Sequence, residues 1–159
     1  DLIKATCILD SSTEKRIMNI LDLKNRIKTI EHFKREADFF EIQKVISRVS
    51  KLAEKGNLKT NILLYSGYIN PDLFEKKCET KVFEFIKNLE GLISLPYWDY
   101  FELFNLFEIN TDNLNELFDN EKGVLVMADN PDIRNNRLNL LGFIRNYSLK
   151  LADFTLFNS

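Results

Sequence analysis

Four cations recur at spacings of +4, +3 and +4 in one stretch of the chain: Lys44, Arg48, Lys51 and Lys55. At 100° per helical residue they fall within about 60° of one another, on the side away from the apolar residues of the same stretch. They form a stripe about 16 Å long, which suits contact with successive phosphates of a nucleic acid, an attraction that salt weakens. Only Glu41 and Glu54 border it, and neither is centred in it. A plain solvated helix face would have the same spacing, so the stripe alone leaves both readings open. A second set of cations follows Pro131. Arg134 and Arg145 project on one side of a helix whose other side carries Ile133, Leu140, Ile144, Tyr147 and Leu151. These two arginines are expected to meet RNA phosphate or stack on an unpaired base. Arg137 falls between the faces, near the core, where a structural pairing with Asp129 or Asp132 is expected.

Groups suited to bond-making are scarce. The one histidine, His32, sits in a charged helical context and is expected at the surface. Cys7 and Cys78 lie far apart, with no partner at metal-ligand spacing and no neighbouring base. Structural zinc is therefore excluded, and a reduced, intracellular protein is expected. Five scattered glycines supply neither a phosphate-binding loop nor a dinucleotide fingerprint. Acid pairs such as Asp112 with Glu116, or Glu31 with Glu36, read as solvated surface, not a catalytic dyad. No catalytic residue, metal ligand or cofactor is assigned to this chain.

The elements that must hold these cations are helical. Five glycines and three prolines are too few for the turns of an all-β fold. The 159 residues suffice for one domain with a sizeable core and are too few for two. Thirteen phenylalanines predict an aromatic-rich interior or an aromatic surface left for a partner. A net charge of −2 means that any basic surface is local. No apolar run has the length of a membrane span.

Residues 1–9 read as a helix end. Ser11 with Glu14 has capping-box spacing and predicts a helix carrying Ile17, Ile20, Leu21, Ile27 and Ile30. Residues 38–55 form the cleanest amphipathic pattern, with Ile42, Val45, Ile46, Val49, Leu52 and Ala53 on one face and a stop at Gly56-Asn57. Asn70-Pro71-Asp72 opens a helix expected to run to about Leu89. The aromatic-dense residues 96–109 are expected to form a central helix or one that touches a partner. Helix continues over residues 114–118 and a loop over 119–123. Residues 124–127 lack a partner strand and read as a buried connector or short helix. Asn130-Pro131-Asp132 starts a long final helix reaching roughly Phe154. The expected fold is all-α: a bundle of six or seven helices in a single domain, residues 1–159.

At the final helix a resemblance emerges. Residues 124–141, from Val124-Leu125-Val126-Met127 through Asn130-Pro131-Asp132-Ile133-Arg134 to Arg137-Leu138-Asn139-Leu140-Leu141, closing with Leu151-Ala152-Asp153-Phe154, resemble the C-terminal signature of bacterial glycyl-tRNA synthetase beta subunits, a DALR-type anticodon-binding region. Upstream, residues 44–53, Ile69-Asn70-Pro71-Asp72-Leu73-Phe74-Glu75 and Leu117-Phe118-Asp119 are similar to further blocks of that family, in the same order. Arg137-Leu138-Asn139-Leu140-Leu141-Gly142 leans toward cyanobacterial or plastid members. The Ala-Leu-Arg of the domain type stands here as Asp132-Ile133-Arg134, which keeps the arginine.

The resemblance implies a fragment of a larger beta subunit that binds the anticodon end of tRNA(Gly), in the cytoplasm or a plastid stroma. The alpha subunit would be its partner and would carry the ATP- and Mg2+-dependent glycylation. The RNA-binding candidates are Lys44, Arg48, Lys51, Lys55, Arg134 and Arg145. A competing reading from the residues is a scaffold whose aromatic face docks another domain or subunit.

Overall fold

A computed structural model describes residues 20–36 and 38–157. Among them the chain folds into six α-helices: α1 (Ile20–Phe33), α2 (Phe39–Ala53), α3 (Lys77–Ser94), α4 (Tyr100–Ile109), α5 (Thr111–Glu116) and α6 (Pro131–Ser148). Two 3-10 turns, Pro71–Leu73 and Phe154–Leu156, complete the regular elements, and the described residues contain no strand. The all-α bundle expected from periodicity is therefore what forms. The expected helix end at residues 1–9, Cys7, the Ser11–Glu14 cap and Ile17 lie outside the described residues.

The amphipathic pattern of α2 is realised as read: Ile42, Val45, Ile46, Val49 and Ala53 are buried, and Leu52 packs against the same core. Its partner is α6, which also packs on α3 and so runs through the middle of the bundle. Every residue of α6 from Asn136 to Ser148 is buried except Asn139. This is where the expectation for the aromatic stretch changes. In α4 only Leu103, Phe104 and Phe107 are buried, while Ile109 is 71% exposed and Tyr97, just before the helix, 91%. The central helix is α6, despite its many polar residues, because those residues find hydrogen-bond partners inside the protein. The aromatic helix instead completes a side of the core. Its Phe104 stacks on Phe33 of α1 at 4.0 Å between ring centroids and lies parallel to Phe39 of α2 at 6.0 Å.

Two predicted helices differ in extent. The Asn70-Pro71-Asp72 start signal works locally, since the Asn70 side chain accepts from Asp72 N at 3.0 Å. It opens only the 3-10 turn, and the chain is extended again at Phe74. The true start of α3 is set by Glu79, whose Oε2 accepts from Glu75 N at 2.8 Å and Lys76 N at 3.0 Å. That carboxylate satisfies the amides a helix start leaves unpaired, so one expected helix is two elements. The last helix begins as expected, with Asn130 accepting from Asp132 N and Ile133 N. It stops at Ser148, short of Phe154. There tighter turns bring Leu151, Ala152 and Phe154 into the core. Residues 124–127 run as a connector, with Val126 buried and Leu125 and Met127 exposed.

Candidate nucleic-acid interface

The four cations of the stripe are all exposed. Burial of the opposite face fixes the orientation of α2, so Lys44, Arg48 and Lys51 point outward from a rigid support. Lys55 lies beyond the helix, in a tighter closing turn where its N–H donates to Leu52 O at 3.0 Å. The row is thus three cations on a helix and a fourth in the turn that ends it. The side chains of Lys44, Lys51 and Lys55 make no ion pair or hydrogen bond among the described residues. Arg48 differs: its guanidinium lies over the Phe118 ring, 4.2 Å from the centroid. That cation–π contact restrains the side chain while its N–H groups remain free for phosphate. Phe118 follows α5, and its neighbour Leu117 sits in the core that α2 and α5 share. Helical spacing within α2 carries no sign of this pairing, because it links segments about seventy residues apart.

The three arginines of α6 separate. Arg134 is half-buried and its Nη1 donates to Ala128 O at 3.0 Å, closing the turn that leads into the helix. Arg145 is a correction to the sequence-based assignment. It is buried, with Nη2 donating to Leu58 O at 2.6 Å and Nε to Asn146 Oδ1 at 3.0 Å. Burial lowers its pKa from the ordinary guanidinium value, against the pull of Glu54. Helical spacing does set Arg134 and Arg145 on one side, but the connector after α2 covers the C-terminal half of that side. Asn146 donates to Lys59 O and Ile62 O, and the Tyr147 hydroxyl to Leu63 O, so three consecutive residues of α6 pin that connector. Arg145 serves the fold and is not presented to RNA.

Arg137 is structural, as expected, but its partners are others than Asp129 and Asp132. Its Nε donates to Glu79 Oε1 at 2.8 Å, its Nη2 to Glu75 Oε2 at 2.6 Å and its Nη1 to Leu125 O at 2.9 Å. Burial works against this guanidinium, yet the two carboxylates carry its pKa above the ordinary value. One side chain therefore ties α6, the start of α3 and the connector before α6 together.

His32 is exposed and touches the Phe33 and Phe101 rings. Cys78 is buried, and burial raises its thiol pKa, which suits packing and not nucleophilic attack. Glu31, Glu36 and Asp112 are exposed, while Glu116 pairs with Lys81. Among the described residues no His, Cys, Asp or Glu cluster is placed to hold a metal ion, and no helix is long and apolar enough to cross a membrane. What the surface offers is a set of cations, one of them braced on an aromatic ring.

No family model matches the chain. Individual relatives do. The glycine–tRNA ligase beta subunit of Picosynechococcus sp. is 34% identical over 159 residues, spanning 97% of this chain and 22% of that protein. The subunits of the same name from Acaryochloris marina and Gloeothece citriformis are 30% and 33% identical, each over 89% of this chain and 20% of the relative. The chain thus spans about a fifth of the length of the relatives it matches. Over nearly its whole length, the chain is homologous to a segment of glycine–tRNA ligase beta subunits.

Proposed function

We propose that this chain is the C-terminal RNA-binding module of a glycine–tRNA ligase beta subunit. It grips the anticodon stem and loop of tRNA(Gly) while ATP- and Mg2+-dependent glycylation proceeds in the alpha subunit. The observation that carries this reading is the similarity to those subunits across 97% of the chain. The surface of α2 supports it: Lys44, Arg48, Lys51 and Lys55 are exposed, and three of them are unengaged by any neighbour. Phosphate contacts from this row set position on the RNA without reading sequence.

The test is a salt titration of tRNA(Gly) binding by the chain and by its Arg48→Glu, Lys51→Glu variant. Each phosphate contact contributes a slope of about −0.7 to −0.9 to log affinity against log salt. Four contacts give about −3, and the double reversal is expected to flatten the slope by about 2 or more. Unchanged affinity and slope would reduce the row to solvated surface. A second reading, a docking face for another domain or subunit, rests on Tyr97, Phe101 and Ile109, which stay exposed on or beside α4. Under that reading, charge would replace apolar contact there at the cost of assembly with the alpha subunit and leave the salt slope untouched.

A further inference from the structure

Beyond the cation row, α6 and the connector after α2 border two adjoining open hollows of about 250 and 500 Å3. Both are lined by Tyr68, Asn135 and Asn139. Asn135 and Asn139 are four residues apart and share one face of α6. Tyr68, 43% exposed, forms the facing wall. That wall is fixed in place. Asn139 Nδ2 donates to Tyr68 O at 2.7 Å, and the Tyr68 ring makes a T-shaped contact with buried Phe143, 6.0 Å between centroids. Two residues after Tyr68, both backbone groups of Asn70 are held by Asn136, which accepts from the N–H at 2.8 Å and donates to the carbonyl at 2.9 Å.

Other groups facing the hollows are unengaged. The side-chain amides of Asn135 and Asn57 and the carboxylate of Asp132 make no hydrogen bond among the described residues. The two ends differ in what lines them: Asp132 stands at one, and Gly56 and Asn57, which follow Lys55 in the sequence, stand at the other.

We propose that this cleft takes one unpaired nucleobase carrying an exocyclic amino group. The base stacks on Tyr68, its edge meets the Asn135 amide and the Asp132 carboxylate, and the adjoining phosphate lies toward Lys55. The chemistry selects this occupant. A half-exposed aromatic ring offers surface for stacking, and a wall whose backbone is already held costs little ordering on binding. Amides present a donor and an acceptor together, as a base edge does. A carboxylate only accepts, so it favours an amino group and opposes the carbonyl-rich edge of uracil. Lys55, which precedes Gly56 in the sequence, compensates the phosphate that the carboxylate would repel.

This assignment rests on the RNA-binding reading above, and the test separates the two. The probes are RNA molecules sharing one stem: a hairpin with a loop of mixed sequence, a hairpin with an all-uridine loop, and a continuous duplex. Binding to the full chain is measured by fluorescence anisotropy at several salt concentrations. The chain is expected to prefer the mixed loop over both other probes. Tyr68→Ala lowers that preference about 5- to 150-fold, and Tyr68→Phe keeps it. Asn135→Ala, at an exposed helical position without a partner, preserves the fold and narrows the gap between mixed and uridine loops. In all three variants the salt slope set by α2 stays as in the wild type. A mixed-loop preference that survives both Tyr68→Ala and Asn135→Ala, with salt-dependent binding intact, overturns the cleft and spares the cation row. Absence of salt-dependent binding to every probe overturns both.

Discussion

Arg137→Met removes the guanidinium that joins three parts of the bundle while keeping an unbranched side chain of similar length. In the native protein Glu79 is completely buried and its Oε1 accepts from Arg137. The variant leaves that carboxylate facing apolar surroundings with only two backbone amides, from Glu75 and Lys76, on its other oxygen. Breaking a buried pair by deleting one partner costs about 3–5 kcal/mol, since the remaining charge stays desolvated. The second pair adds little, because Glu75 is largely exposed and water can replace the arginine there. Leu125 O also loses its donor, but its residue is exposed and the carbonyl can turn to solvent. The expected loss is therefore that of one buried pair, a large part of the 5–15 kcal/mol typical of a domain. Urea denaturation of the full chain followed by far-ultraviolet circular dichroism reads it as a fall in midpoint at constant slope. The control is Arg137→Met combined with Glu79→Gln, which removes the stranded charge and keeps an acceptor for the two amides. That double variant should recover at least half of the loss. A single-variant cost under about 1 kcal/mol, or a double variant whose loss equals the sum of both single losses, would refute the claim that Glu79 depends on Arg137.

Two further perturbations separate fold from binding on the same helix. Arg145→Met strips Leu58 O of its donor and is expected to cost about 1–3 kcal/mol in the same denaturation assay. It should leave the slope of RNA affinity against salt unchanged, and a flattened slope would restore Arg145 to the RNA surface. Gly142→Ala places a Cβ 2.8 Å from Leu58 Cδ2 and 3.1 Å from Leu58 Cβ. Overpacking of about 1–3 kcal/mol set against about 1 kcal/mol of regained helix propensity predicts a net loss near 1 kcal/mol. Adding Leu58→Ala should cost less in the Gly142→Ala background than alone, and strict additivity would place the contact elsewhere.

What the sequence made legible was what repeats locally. The period of Ile42, Val45, Ile46 and Val49 fixes the buried face of α2, and so the outward direction of Lys44, Arg48 and Lys51. The Asn130-Pro131 signal fixes where α6 begins. What stayed hidden depends on pairings across long stretches of chain. Asn70-Pro71 carries the same start signal as Asn130-Pro131, yet yields one 3-10 turn, because Glu79 caps the helix and is itself held by Arg137 from far along the chain. Arg145 looks as free as Arg134 at 100° per residue, since periodicity does not show that residues 58–63 cross over its end of the helix. Tyr68 sits in an irregular connector, where neither helical nor strand spacing predicts the direction of a side chain.

These hidden pairings share an origin in α6, and that explains how a helix so polar can be central. Its last turns use Arg145, Asn146 and Tyr147 on carbonyls of the connector, and its middle uses Arg137 and Asn136 on the segment between Asn70 and Glu79. Buried polar groups of this kind stabilise only when all are satisfied, so they dictate one path for the connector where an apolar helix would accept several. The connector's path in turn sets the position of Tyr68 opposite Asn135 and Asn139. The exposed first turns of α6 are thus held at a fixed distance from a wall that its buried turns have positioned. Substitutions along this helix should accordingly divide by burial: those at Asn136, Arg137 and after Asn139 register in stability, and those at Asp132, Asn135 and Asn139 register first in what the surface binds.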